Sequence, residues 1–239
     1  VKNGRGLVTE EKVDVILGSS TTPISVAMAD VAIESETLQI AISPPPLPPE
    51  KEKWTFRMAP LASVHANTMV EHMKKQGIKT IGFLGYADAY GESWLKDTTP
   101  IAERAGMKIG PVERFQRTDT SVTAQALKLA AANPDAILIV ASGSGAAMPQ
   151  IALVERGYKG KIYQTPAGAT PDLMRVGGKS VEGGYIVSGP ATVAEQLPDT
   201  HPSKKVALDY VTKYDKQYGA GKRNQFAAHA YDTLLVLEK

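Results

Sequence analysis

The sequence predicts an α/β fold in which parallel sheets are covered by helices. Three observations carry this. Short apolar runs alternate with helical periodicity along almost the whole chain. The runs are apolar on both faces, as strands buried under two helical layers must be. Glycines stand just past the helical stretches, as in Arg104-Ala105-Gly106 and Glu155-Arg156-Gly157, where a helix stop is expected.

In chain order, strands are expected at Val13–Leu17, Leu38–Ile42, Thr80–Gly85, Ile109–Phe115, Ala136–Ser142, Lys161–Thr165 and Gly184–Ser188. Helices are expected at Pro23–Ser35, Ser63–Gln76, Gly91–Ala105, Val122–Ala132, Ala146–Arg156, Pro171–Val176, Ser203–Tyr218 and Gln225–Glu238. Two units are clearest. KTIGFLG (Lys79 to Gly85) runs through YADAYGESW into a helix, and NPDAILIVAS (Asn133 to Ser142) runs through GSGAAMP into another. In open α/β sheets ligands sit at the carboxyl edges of strands, so these two loops are candidate binding positions. PPPLPP (Pro44 to Pro49) reads as a stiff extended connector, and TVAEQLPDTHPS (Thr192 to Ser203) as a crossing between lobes.

With 239 residues, 43% hydrophobic and 22% charged, the chain is globular and fits one large α/β domain or two lobes. The net charge is +2, and clusters such as Lys51 to Lys53 and Lys159 to Lys161 are too short to make a nucleic-acid or membrane patch. No stretch approaches the roughly 18 apolar residues of a membrane-spanning helix, and no signal peptide is visible. There is no cysteine, which removes disulfides, thiol catalysis and thiolate metal sites without identifying a compartment. The start at VKNGRGLV and the stop inside LLVLEK lack caps, so the chain is expected to be a portion of a longer protein.

Catalysis needs a constellation that the sequence does not assemble. ASGSG (Ala141 to Gly145) approaches a nucleophile elbow, but centred on Ser144 its glycine positions are Ser142 and Ala146. GGKS (Gly177 to Ser180) ends like a phosphate-binding loop, yet Leu173 stands where the first glycine is required. His65, His72, His201 and His229 have no metal-pair spacing, so neither a metal nor a cofactor is expected. Trp54 and Trp94 read as structural, and Met69, Met73 and Met148 as core filler.

GSSTTP (Gly18 to Pro23) follows the apolar run VDVIL, and two readings stand. Its hydroxyls cap the next helix, or they use that helix start to hold a small anion. Tyrosines beside glycines suit an apolar or aromatic body. Such residues hold a small molecule without reacting it.

VDVILGSSTTP (Val13 to Pro23), WTFR (Trp54 to Arg57), ADAYGESW (Ala87 to Trp94), RTDTSVT (Arg117 to Thr123), ERGYKG (Glu155 to Gly160) and VEGG (Val181 to Gly184) occur in an order and spacing that is specific. In these residues the chain resembles the solute-binding proteins of branched-chain amino acid type ABC transporters. The resemblance implies a type I periplasmic binding protein fold, two Rossmann-like lobes hinged around a ligand. It places lobe one at residues 1–59 and 191–239, and lobe two at 60–190. It implies no enzymatic activity, a periplasmic location with at most a peripheral or lipid-anchored membrane association, and permease subunits as partners. An amino-acid binding protein, or a ligand-sensing domain of a receptor or regulator of the same fold, is the alternative.

Carried over by position, the serine-rich turn that grips the ligand carboxylate falls on Ser19, Ser20 and Thr21. The tyrosine before Gly-Glu falls on Tyr90, and the loop after the strand ending at Ser142 on Ser144 and Gly145. Two positions depart from the pattern. The threonine that helps hold an amino-acid head falls near Leu47, and the acid that pairs with an α-ammonium falls on Ala167. A buried ammonium without its carboxylate costs several kcal/mol. An aromatic or aliphatic carboxylate is therefore expected over an α-amino acid, with Pro45, Leu47, Tyr86 and Tyr90 as apolar walls.

Overall fold

The computed structural model describes residues 1–238, and the chain divides into two compact units. Residues 1–61 with the described part of 226–239 form the first, and residues 62–225 the second. The resemblance places 191–225 in lobe one, whereas by contact this stretch groups with the second unit.

The first unit holds a parallel sheet in the order β1 (Val15–Leu17), β2 (Leu38–Ala41), β3 (Thr55–Arg57). Helices α1 (Lys2–Thr9) and α2 (Thr22–Glu34) belong to it. Ile16, Met28 and Val31 form a core on which Val8 and Val13 pack. Strand β3 was not expected from the sequence. It has only three residues, alternating buried, exposed and half-buried, which is too short for periodicity to register.

The second unit carries five parallel strands in the order β5-β4-β6-β7-β8: β4 (Thr80–Tyr86), β5 (Lys108–Phe115), β6 (Ala136–Val140), β7 (Lys161–Gln164) and β8 (Tyr185–Ile186). Every residue of β6 is buried, as a central strand covered on both faces requires. The helices are α3 (Ala62–Lys75), α4 (Ala89–Arg104), α5 (Thr123–Ala132), α6 (Ser144–Glu155), α7 (Pro171–Gly177) and α8 (Lys204–Tyr218); α9 (Gln225–Leu237) begins at its last residue. Trp94, Phe83, Met73 and Leu153 are among its fully buried side chains.

The sheet's order positions the site. From β4 the chain steps outward to β5, then crosses to β6 on the other side. Loops leaving β4 and β6 therefore diverge, and the carboxyl ends of these two strands are the switch point at which α/β sheets bind ligands. The opposite edge is tied shut. Asp135 accepts from the backbone N–H groups of Lys79 and Thr80, both at 2.8 Å, while its own N–H donates to Thr80 Oγ1 at 2.9 Å. These bonds hold the Asp135 carboxyl below its usual range.

Candidate functional site

In the first unit, the turn after β1 is fixed from below. Gly18 leaves the strand at a φ of +120°, a conformation open to glycine. Gln39, fully buried on β2, donates from Nε2 to the carbonyls of Gly18 at 3.0 Å and Ser25 at 3.3 Å, and accepts from Thr55 Oγ1 at 3.1 Å. Ser25 Oγ accepts from the Ser19 N–H at 3.1 Å and from Ser43 Oγ at 2.7 Å, and donates to the Ser19 carbonyl at 3.0 Å. A buried network this fully satisfied holds one geometry.

The helix start differs from the simple cap that the hydroxyls suggest. Thr21 occupies the N-cap of α2 but makes no side-chain cap bond. Pro23 removes one of the two N–H groups such a cap would meet. Instead Ser19 Oγ accepts from the Thr21 N–H at 3.0 Å and lies 3.3 Å from Thr21 Oγ1. Ser20 is exposed. Among the described residues, the backbone N–H groups of Thr22 and Ile24 have no acceptor, and the buried Thr22 Oγ1 has no partner. Unpaired donors at the positive end of a helix suit an anion. Nearby, Pro45 is buried, Leu47 is half-buried, and Arg57 Nη1 donates to the Pro45 carbonyl at 3.3 Å while Nη2 pairs with Glu52 at 2.7 Å. The polyproline connector is thus pinned to β3.

In the second unit, Tyr86, Tyr90, Gly145 and Ala167 come together at the carboxyl ends of β4, β6 and β7. Tyr86 ends β4, buried, with its hydroxyl 3.4 Å from both the carbonyl and the N–H of Ser142. Gly145 is required by that hydroxyl, because a Cβ there would lie 2.2 Å from Tyr86 Oη. Tyr90 stands in the first turn of α4, which Asp88 caps by accepting from the N–H groups of Tyr90 at 2.9 Å and Gly91 at 3.2 Å. Gly91 admits this close docking: a Cβ would overlap the Tyr86 carbonyl at 1.8 Å. The Tyr90 hydroxyl donates to Thr165 Oγ1 at 2.8 Å, and burial pushes its pKa well above the ordinary tyrosine range, so it stays neutral. Ala167 is buried in the short 3₁₀ turn Pro166–Gly168, its carbonyl accepting from the Gly143 N–H at 3.2 Å. Ser144, the first residue of α6, is exposed.

Three groups at this edge were not named as site residues from the sequence, although Arg117 opens the RTDTSVT motif. Ser142 and Thr165 end β6 and β7 and anchor the two tyrosines. Arg117 lies over the Tyr86 ring, 4.1 Å from its centroid, with Nε 2.6 Å from Asp88 Oδ2 and Nη1 3.4 Å from Ser142 Oγ. Its place in the loop after β5, brought back over β4 by parallel pairing, leaves no periodicity to read. Asp88, the acid at this edge, is committed to the α4 cap and to Arg117. Among the described residues no cluster of side chains could hold a metal ion.

A family model described as periplasmic binding protein matches residues 2–239. The chain belongs to that family. An extracellular ligand-binding receptor from Rhodopseudomonas palustris is 49% identical, with a TM-score of 0.96 over 99% of this chain and 66% of that one. The chain thus spans just under two thirds of that relative. A leucine binding protein from Thermotoga maritima (21% identity, TM-score 0.85, 99% and 66% covered) has the same fold. So does a solute binding protein of an ABC transporter from Rhodopseudomonas palustris BisB5 in complex with 3,4-dihydroxybenzoic acid (19% identity, TM-score 0.81, 99% and 64% covered). No curated protein matches the chain. Among the described residues, no helix is long and apolar enough to cross a membrane.

Proposed function

We propose that the complete protein is the extracytoplasmic solute-binding component of an ABC importer, clamping a small carboxylate between two lobes and delivering it to permease subunits. Ser19, Ser20 and Thr21, with the free N–H groups at the start of α2, hold the carboxylate. Pro45 and Leu47 in the first unit, and Tyr86, Tyr90, Ser144, Gly145 and Ala167 in the second, are the residues assigned to the body of the ligand. The ligand is an aromatic or aliphatic acid and not an α-amino acid.

One observation carries the ligand class. Ala167 stands where the resemblance puts the acid that pairs with an α-ammonium, and Asp88, the cap of α4 at the same sheet edge, already has its partners. An ammonium at this edge would be desolvated without a counter-charge. A neutral ring or alkyl chain carries no such penalty. The 3,4-dihydroxybenzoic acid complex of a protein of this fold is compatible with the reading, while the leucine binding protein of the same fold leaves the choice to the residues of this chain.

A thermal-shift screen of the complete mature protein tests it. A ligand that binds only the folded state raises the melting temperature by mass action. Aromatic or aliphatic acids are expected to raise it, and leucine and valine to leave it unmoved. A shift with the amino acids alone would refute the assignment.

A further inference from the structure

Resting on the carboxylate reading above, we propose that Arg117 is a specificity-determining residue: its guanidinium donates from Nη2 to a neutral oxygen substituent on the body of the ligand. The guanidinium lies at the carboxyl edge of β4 and β6, stacked on the buried Tyr86 ring at 4.1 Å. Tyr86 is itself held at Ser142 and backed by Gly145, so the platform beneath Arg117 does not move freely. Two of the three guanidinium nitrogens are committed, Nε to Asp88 and Nη1 to Ser142. Nη2 has no protein acceptor among the described residues, and the side chain remains 33% exposed.

Charge decides what Nη2 takes. Asp88 neutralises Arg117 at 2.6 Å, so the pair exerts little net pull on an anion, and the ligand carboxylate has a better site at the start of α2. What the pair retains is a directional, charge-assisted donor on a flat platform. A hydroxyl, methoxy or carbonyl oxygen on a ring or chain matches it. An α-ammonium does not, because it would face the guanidinium with no free carboxylate nearby.

Calorimetric titration of the complete mature protein with benzoate and 4-hydroxybenzoate, and with cinnamate and 4-hydroxycinnamate, tests this. The oxygenated member of at least one pair is expected to bind about ten-fold tighter or more, the range of one hydrogen bond to a charged donor. Arg117→Met is expected to bring the members of that pair to within about two-fold; the ratio within the pair is what is read, since losing the partner of Asp88 shifts both affinities together. Arg117→Lys, which keeps the charge, is expected to restore part of the preference. Equal affinities within both pairs for the wild type, or an undiminished preference in Arg117→Met, would overturn the role of Arg117. Should Arg117→Met fail to fold, the wild-type ratios and the Lys variant still decide. If the wild type binds none of the four acids, nor any aliphatic acid, it is the carboxylate reading that falls.

Discussion

Single atoms set the shape of the candidate site. Gly145 is the sharpest case, since its missing Cβ is the space that the Tyr86 hydroxyl occupies. Gly145→Ala is expected to displace Tyr86, costing about 1–3 kcal/mol of stability as overpacking does, and to weaken ligand binding with it. Denaturant titration beside ligand calorimetry checks both effects. Tyr90 answers a different question, because its hydroxyl already has Thr165 as acceptor. Tyr90→Phe is expected to lower stability by about 1 kcal/mol. A much larger fall in ligand affinity than in stability would show that the hydroxyl also serves the ligand. The sequence marks Tyr90 and Gly145 by position but not their use: that one hydroxyl faces a threonine 75 residues away depends on the register of β4 against β6 and of β6 against β7.

At the scale of elements, two polar side chains tie loops to strands. Gln39 joins β2 to the Ser19 turn, to the start of α2 and, through Thr55, to β3. Gln39→Leu leaves two carbonyls and a hydroxyl buried without this partner, and is expected to cost about 2–4 kcal/mol and to loosen ligand binding. Equilibrium unfolding of the variant checks it. Asp88 joins the N-terminus of α4 to the loop after β5, and Asp88→Ala is expected to cost about 1–2 kcal/mol through the lost cap alone. Helix α1, with two glycines in KNGRGLVT, was not expected, whereas helices α2 to α9 and the longer strands were legible from the sequence, the helices by their periodicity and the strands as apolar runs bounded by turn residues. Their ends shifted by one or two positions, as fraying predicts. Strand β3 was not legible, and neither was Gln39, whose polar side chain looks out of place in an apolar run until its three partners are assembled by pairing of β2 with β3. The hydroxyl turn was legible as a turn, but the exchange of cap duty from Thr21 to Ser19 was not, because it depends on where Pro23 falls in the first turn.

For the molecule as a whole, titration erodes stability toward acid. Backbone hydrogen bonds hold Asp135 low, and Arg223 beside Glu195 and Arg114 beside Glu92 hold those carboxyls low as well. A carboxyl whose folded pKa lies below its unfolded value stabilises fully above that unfolded value, here 3.8 to 4.5, and less as pH falls through the folded one. His65, lowered by burial, adds a term with the same sign at higher pH. Its neutral form is favoured in the fold, so stability is full above 6.5 and declines as pH falls below it. Asp232, raised by burial, acts in the opposite sense. The melting temperature is therefore expected to fall between pH 7 and 5.5 and again below about 4, with His65→Gln flattening the first decline only. Scanning calorimetry across pH on wild type and variant checks the sign.

The network under the Ser19 turn has a consequence for the environment in which the protein is proposed to work. Its members, Gln39, Ser25, Ser43, Thr55 and Ser19, are an amide and four hydroxyls, none of which changes protonation in ordinary water. A compartment open to the outside takes on the acidity of its surroundings, and a grip built on carboxylates or imidazoles would weaken and strengthen with it. The grip proposed here would be indifferent. Over the acid-stable range of the fold, any drift in affinity with pH should follow the ionisation of the solute itself, so that capture registers how much of the anion the medium offers.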